Sequence, residues 1–113
     1  MQKITVLGNV GQSRLNTLAD GTPVLNFSLA AHRKKGTEQV TTWYECSVWG
    51  ERGQNLAPHI KEGIGLVVEG LPSVEAYMPK EGAEPKAAMR ILVDDLHFTG
   101  FPRKDSPAEN PTA

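Results

Sequence analysis

The stretch Thr41-Thr42-Trp43-Tyr44-Glu45-Cys46-Ser47-Val48-Trp49-Gly50 alternates in side-chain character with a period of two, the spacing of a β-strand. Trp43, Glu45, Ser47 and Trp49 fall on one side; Tyr44, Cys46 and Val48 fall on the other. The second set belongs in a core. The first shares its face with a glutamate and a serine and should be wet, yet it carries both tryptophans of the chain. Large flat aromatics held on a polar face by a strand form a platform for something flat and partly polar, such as a nucleobase.

The rest of the chain breaks into short apolar runs between turn residues, eleven glycines and eight prolines in 113 residues, which favours an all-β domain over a helical bundle. Lys3 to Leu7 is a first strand, and Gly8-Asn9-Val10-Gly11 lets it bend or bulge. Asp20-Gly21-Thr22-Pro23 is a turn, after which Val24 to His32 places Leu25, Phe27, Leu29 and Ala31 toward the core. After the tryptophan strand, Glu51 to Glu62 reads as a short helix with Leu56 and Ile60 on one face, interrupted by Pro58, which leaves two short turns as the alternative to a regular helix. Ile64 to Leu71 is a fourth strand, with a kink or bulge expected at Pro72. Ser73 to Met78 presents Tyr77, residues 79–86 form a polar loop, and Ala87 to Phe98 returns with Leu96 and Phe98 closing the core. Five strands with a short helix between the third and fourth match an OB-fold, a five-stranded Greek-key barrel with long hairpin loops. The expected domain spans residues 1–98, followed by a disordered tail over 99–113, where prolines and mixed charge leave too little apolar surface to offset ordering.

Charge and side-chain chemistry narrow the function. A formal net charge of −1 gives no global positive field, so nucleic-acid binding would rest on stacking and local clusters. The densest cluster is His32-Arg33-Lys34-Lys35, one hairpin before the tryptophan strand, where its cations would lie beside the platform and meet a phosphate chain. A lone cysteine, Cys46, fits a reducing compartment and a core position. The absence of a signal segment and of any apolar run near the roughly 20 residues that span a bilayer makes a cytoplasmic protein the expectation. His32, His59 and His97 are too scattered for a metal site, Asp94 and Asp95 should diverge on a strand, and no phosphate-cradling or nucleophile motif occurs. No enzyme activity, metal or cofactor is expected.

Several of these segments also carry a resemblance. Lys3-Ile4-Thr5-Val6-Leu7-Gly8-Asn9-Val10-Gly11, Asn26-Phe27-Ser28-Leu29-Ala30, Thr42-Trp43-Tyr44 through Val48-Trp49-Gly50, and Lys61-Glu62-Gly63 with Val67-Val68-Glu69-Gly70 resemble the bacterial single-stranded-DNA-binding protein family, in register over about residues 1–98. The resemblance implies an OB-fold, assembled as a homo-oligomer with a tetramer favoured over a dimer. It also implies binding of single-stranded DNA without sequence preference in replication, recombination and repair. Trp43 stands at the family's stacking tryptophan and Trp49 at a common stacking phenylalanine. Tyr77 occupies a third aromatic position, and Lys35 a fourth that is often tryptophan. The expected DNA contacts are stacking on Trp43, Trp49 and Tyr77, and phosphate or polar contacts from Lys3, His32, Arg33, Lys34, Lys35, Lys86 and Arg90.

The departures are acidic. Glu45, Glu51, Glu62 and Glu75 stand near or at positions where relatives often carry Arg or Lys, so binding that is weaker and more dependent on stacking is expected. Relatives that recruit replication and repair proteins end in an acidic tip with a terminal Pro-Phe, whereas this chain ends Glu109-Asn110-Pro111-Thr112-Ala113, which reads as a short form without that tip. The alternative is a primosomal-type adaptor acting mainly through protein contacts, favoured by the glutamates and opposed by the two tryptophans.

Overall fold

Five strands close into a barrel in the computed structural model, which describes residues 1–78, 80–82 and 86–100, with Lys86 described by its backbone alone. Strand β1 (Ile4–Thr17) pairs with β2 (Pro23–Lys35), and β2 with β3 (Glu38–Trp49). A parallel pairing joins β3 to β5 (Lys86–Phe98), β5 pairs with β4 (Gly65–Tyr77), and β4 returns to β1. A short helix, α1 (Glu51–Leu56), and a 3₁₀ turn at Ala57–His59 fill the connection between β3 and β4. This is the expected five-stranded OB architecture, with Pro58 in the first turn of the 3₁₀ segment, where a missing amide costs nothing.

A single strand, β1, closes the barrel by serving two neighbours. Ile4 to Asn9 pairs with β4, and Asn9 to Thr17 pairs with β2. The change of partner needs a bend, and the register slips between Val10 and Ser13, where Gly11 and Gln12 both lie opposite Ser28. The bulge falls at the predicted glycines and reverses which residues face inward. Val6 and Val10 are buried before it; after it Ser13 takes the parity of buried Phe27, its register partner, and although exposed its hydroxyl donates to the Ile60 carbonyl (2.8 Å). The strand also runs on to Thr17, well beyond the Lys3–Leu7 run expected as the first strand.

Alternation decides the core. Leu25, Phe27 and Leu29 from β2, Cys46 and Val48 from β3, Leu66 and Val68 from β4, and Ile91 and Val93 from β5 are all buried, with Ile60 closing one end. Burial pushes the Cys46 thiol up to about 12, with Glu45 adding to the effect, so it stays neutral as a small core residue. At the β1–β2 turn the Asp20 carboxylate accepts the Thr22 amide (2.9 Å), which holds its pKa below the usual value.

Two expectations are corrected near the chain's end. The strand passes through Pro72 in register, and the slip lies earlier, between Glu69 and Gly70, where Asp94 of β5 is the extra residue. Gly70 lies so near the Leu92 carbonyl that a Cβ there would overlap it, so the approach of β4 to β5 at the slip requires glycine. Arg52 of α1 donates to the Asp94 carbonyl and pairs with the Asp95 carboxylate (3.3 Å), tying the helix to this bulge. Backbone amide and neighbouring cations hold the Asp95 carboxyl below its usual range. Phe98, expected to close the core, is 46% exposed, because it sits at the last paired position of the barrel opposite Leu66 and no element among the described residues covers it there. The barrel thus occupies residues 4–98, and residues 101–113 of the expected tail lie outside the described residues. Among the described residues no helix is long and apolar enough to cross a membrane.

Candidate nucleic-acid interface

Strand parity puts Trp43, Glu45, Ser47 and Trp49 on the outer face of β3, as their alternation requires. Both rings are half exposed, Trp43 at 51% and Trp49 at 52%. Six residues of extended chain separate them, about 20 Å along the strand. Trp43 is nevertheless seated. A Cβ at Gly11 would lie 2.7 Å from Trp43 Cζ3 and 2.7 Å from Ser28 Oγ, so the β1 bulge leaves a space that the indole edge occupies. The Gln12 amide donates to Ser28 Oγ (3.0 Å), fixing the bulge beneath the ring. Gly11→Ala is expected to cost about 1–3 kcal/mol through overpacking and to shift the tryptophan emission. An unchanged denaturation midpoint and an unchanged emission spectrum would show that the ring does not rest there.

Cross-strand register lays two rows between the rings. One row runs Arg14, Asn26, Ser47, Leu92 and Leu71; the other runs Ser28, Glu45, Arg90 and Ser73. Along these rows lies a groove of about 790 Å³ lined by Arg14, Asn16, Asn26, Ser28, Ser47 and other polar residues, with Glu45, Glu62 and Arg90 supplying the remaining charge. Two arginines and two glutamates leave it formally neutral. Arg90 is also committed, since its Nε donates to Glu75 Oε1 at 2.7 Å. Exposed pairs of this kind contribute about 0–1 kcal/mol; their consequence here is to occupy a cation at the groove.

The remaining expected contacts divide by position. Tyr77, 43% exposed, ends β4 with the parity of Ser73 and Glu75, on the face that carries Arg90. His32 lies on the Trp43 face with its Nδ1 2.9 Å from Thr41 Oγ1, and Lys34 shares that parity; Arg33 and Lys35 take the opposite one. The basic run is therefore split between two faces of the hairpin. Lys3 lies apart from the groove, paired with Glu69 across β1 and β4 (3.4 Å). The side chain of Lys86 lies outside the described residues. Among the described residues no group of three or more His, Cys, Asp or Glu is placed to hold a metal ion.

Arg14 was not anticipated from the sequence. It lines the groove, exposed and without an ion pair among the described residues. A signal existed, because a bulge at Gly8–Gly11 inverts the parity of everything after it and turns Arg14 outward.

Comparison with known proteins agrees with this geometry. The model of the single-strand binding protein family matches residues 1–99. A single-stranded DNA-binding protein of Chlamydia caviae is 37% identical over 76% of this chain and 53% of its own length. A mitochondrial single-stranded DNA-binding protein of Xenopus laevis is 33% identical over 87% of this chain and 75% of its own. The chain spans about half the length of its chlamydial relatives. Among solved structures, a Plasmodium falciparum single-strand binding protein in complex with single-stranded DNA superposes with a TM-score of 0.71 at 23% identity, covering 87% of this chain and 94% of that one, which supports the fold.

Proposed function

The chain belongs to the single-strand binding protein family, and from that premise we propose that it binds single-stranded DNA without catalysis, by stacking bases on exposed rings along one barrel face. The observation that carries the proposal is the pair Trp43 and Trp49, half exposed on one strand face with a polar groove beside them. A tryptophan exposed at that level forgoes the burial that usually stabilises it, which a base stack would restore. At about 1–3 kcal/mol per stacked base, Trp43, Trp49 and Tyr77 supply roughly 3–9 kcal/mol if additive. Arg14 and Lys34 on this face meet phosphates, with His32, Arg33 and Lys35 at the hairpin and Lys86 and Arg90 on β5 as further contacts. Lys3, paired with Glu69, completes the set. The binding domain covers residues 1–98, works in the cytoplasm on DNA exposed by replication, recombination or repair, and is shared among subunits of a homo-oligomer. The exposed rings weigh against an adaptor that has given up its DNA surface.

Stacking dominance has a measurable signature. Each phosphate neutralised on a single strand contributes about −0.7 to the slope of log K against log salt. With Arg14, Arg33, Lys34 and Lys35 free of ion pairs among the described residues, oligo-dT binding should show a slope of about −2.8 or shallower. A slope steeper than about −5 would place the affinity in ionic contacts instead.

A further inference from the structure

Glu45 and Glu62 are the two glutamates of the groove, and of the two Glu45 is the one on the tryptophan strand. It stands on β3 between the two tryptophans, in register with Ser28 on one side and Arg90 on the other. Arg90 is the natural partner, yet its guanidinium is turned to Glu75 at 2.7 Å. Glu69 and Asp95 also carry ion pairs, whereas among the described residues the Glu45 carboxylate, like that of Glu62, has neither an ion pair nor a hydrogen bond. An anion here weakens attraction for phosphate, and its acceptor capacity is unspent.

We infer that Glu45 gives this surface a base preference, favouring bases that present N–H donors on the Watson–Crick edge, guanine foremost, over thymine. The inference rests on the DNA-binding reading above and deepens it. An ionised carboxylate only accepts hydrogen bonds, and its two oxygens match two parallel donors. In a single strand the Watson–Crick edges are free to be read by side chains. Guanine offers N1–H and the N2 amino group side by side, the pair a carboxylate accepts through both oxygens. Cytosine and adenine offer one amino group beside a ring acceptor. Thymine offers a single N3–H between two carbonyl oxygens, both of which repel the anion. With bases stacked on Trp43 or Trp49, their edges reach over a floor whose hydroxyl and amide groups, on Ser28, Asn26 and Ser47, adapt to any base. Glu45 supplies the discrimination, and the stacks supply the tolerance.

The test is a ladder of three labelled oligonucleotides of equal length, followed by fluorescence anisotropy with the full chain. One is all dT, one carries isolated dG at every third position, and one carries deoxyinosine there, which keeps N1–H and lacks the N2 amino group. The dG oligonucleotide should bind at least about fivefold more tightly than all-dT, the lower end for a paired hydrogen-bond contact, with deoxyinosine between them. Glu45→Gln should tighten all-dT binding and shrink the dG preference below about twofold. Equal or tighter binding of all-dT by the unaltered chain would overturn the inference, as would an undiminished dG preference in Glu45→Gln. The ladder on the unaltered chain stands without the variant should that variant misfold. No binding to any of the three would overturn the DNA-binding reading and the inference with it, a result distinct from equal binding.

Discussion

Trp43→Ala should weaken binding to oligo-dT by about 5- to 150-fold, the equivalent of about 1–3 kcal/mol for one lost base stack, while leaving the barrel folded. The two halves of this expectation have separate causes. Trp43 is 51% exposed and outside the buried cluster, so removing it opens no core cavity. The part of the ring that lies over Gly11 is one edge, Cζ3 and Cη2, and the remaining face is what a base would cover. The stability change should therefore stay within about 1 kcal/mol, read by denaturant midpoint. Trp49→Ala should behave alike, since that ring is 52% exposed at the far end of the same strand. Loss of the fold in Trp43→Ala would show that the ring is a structural element of the bulge.

Leu66→Ala should do the reverse. Leu66 is fully buried at the start of β4, facing Gly8 on β1 and Phe98 on β5 in register. Truncation removes transfer free energy and leaves a cavity that a closed barrel cannot collapse around, a cost of about 2–5 kcal/mol. Against a total of about 5–15 kcal/mol for a domain of this kind, that lowers the thermal midpoint by at least about 8 °C. Leu7, close by on β1 and opposite Val67, is 66% exposed, and Leu7→Ala should change stability by no more than about 0.5 kcal/mol. Equal effects of the two substitutions would mean that the inward and outward assignments on these strands are wrong.

That contrast also marks where sequence reasoning holds. Alternation in Thr41–Gly50 was legible because Glu45 and Ser47 interleave with Tyr44, Cys46 and Val48 there, so both the face of the tryptophans and the burial of Cys46 and Val48 followed. Pro58 was legible because its missing amide acts locally, whatever the rest of the chain does. The bulge at Gly8–Gly11 was legible, but its consequence for Arg14 was not drawn, since local turn chemistry does not announce a parity inversion further on. The bulge on β5 escaped for a related reason. Pro72 gave a strong local signal, whereas the slip at Asp94 is set by the close approach of Gly70 to the Leu92 backbone, a contact between strands. Arg90 is the instructive site residue. Its type and parity marked it as a phosphate contact, and only the register of β4 against β5 reveals that Glu75 already holds it. Single positions report which way a side chain points; cross-strand register decides what it meets.

The formally neutral groove and the half-exposed rings together describe a surface that binds through flat faces more than through charge. Glu75 on Arg90 and Glu69 on Lys3 each occupy a cation counted as a phosphate contact. Stacking must then carry the affinity, and the two tryptophans report directly on it.

The most direct measurement is a titration of intrinsic tryptophan fluorescence with oligo-dT at low salt, repeated with duplex DNA of the same length. Stacking on Trp43 and Trp49 predicts strong, saturable quenching by the single strand and little by the duplex, whose bases are already stacked on one another. A folded protein whose emission does not change with the single strand, or is quenched equally by the duplex, would contradict the account.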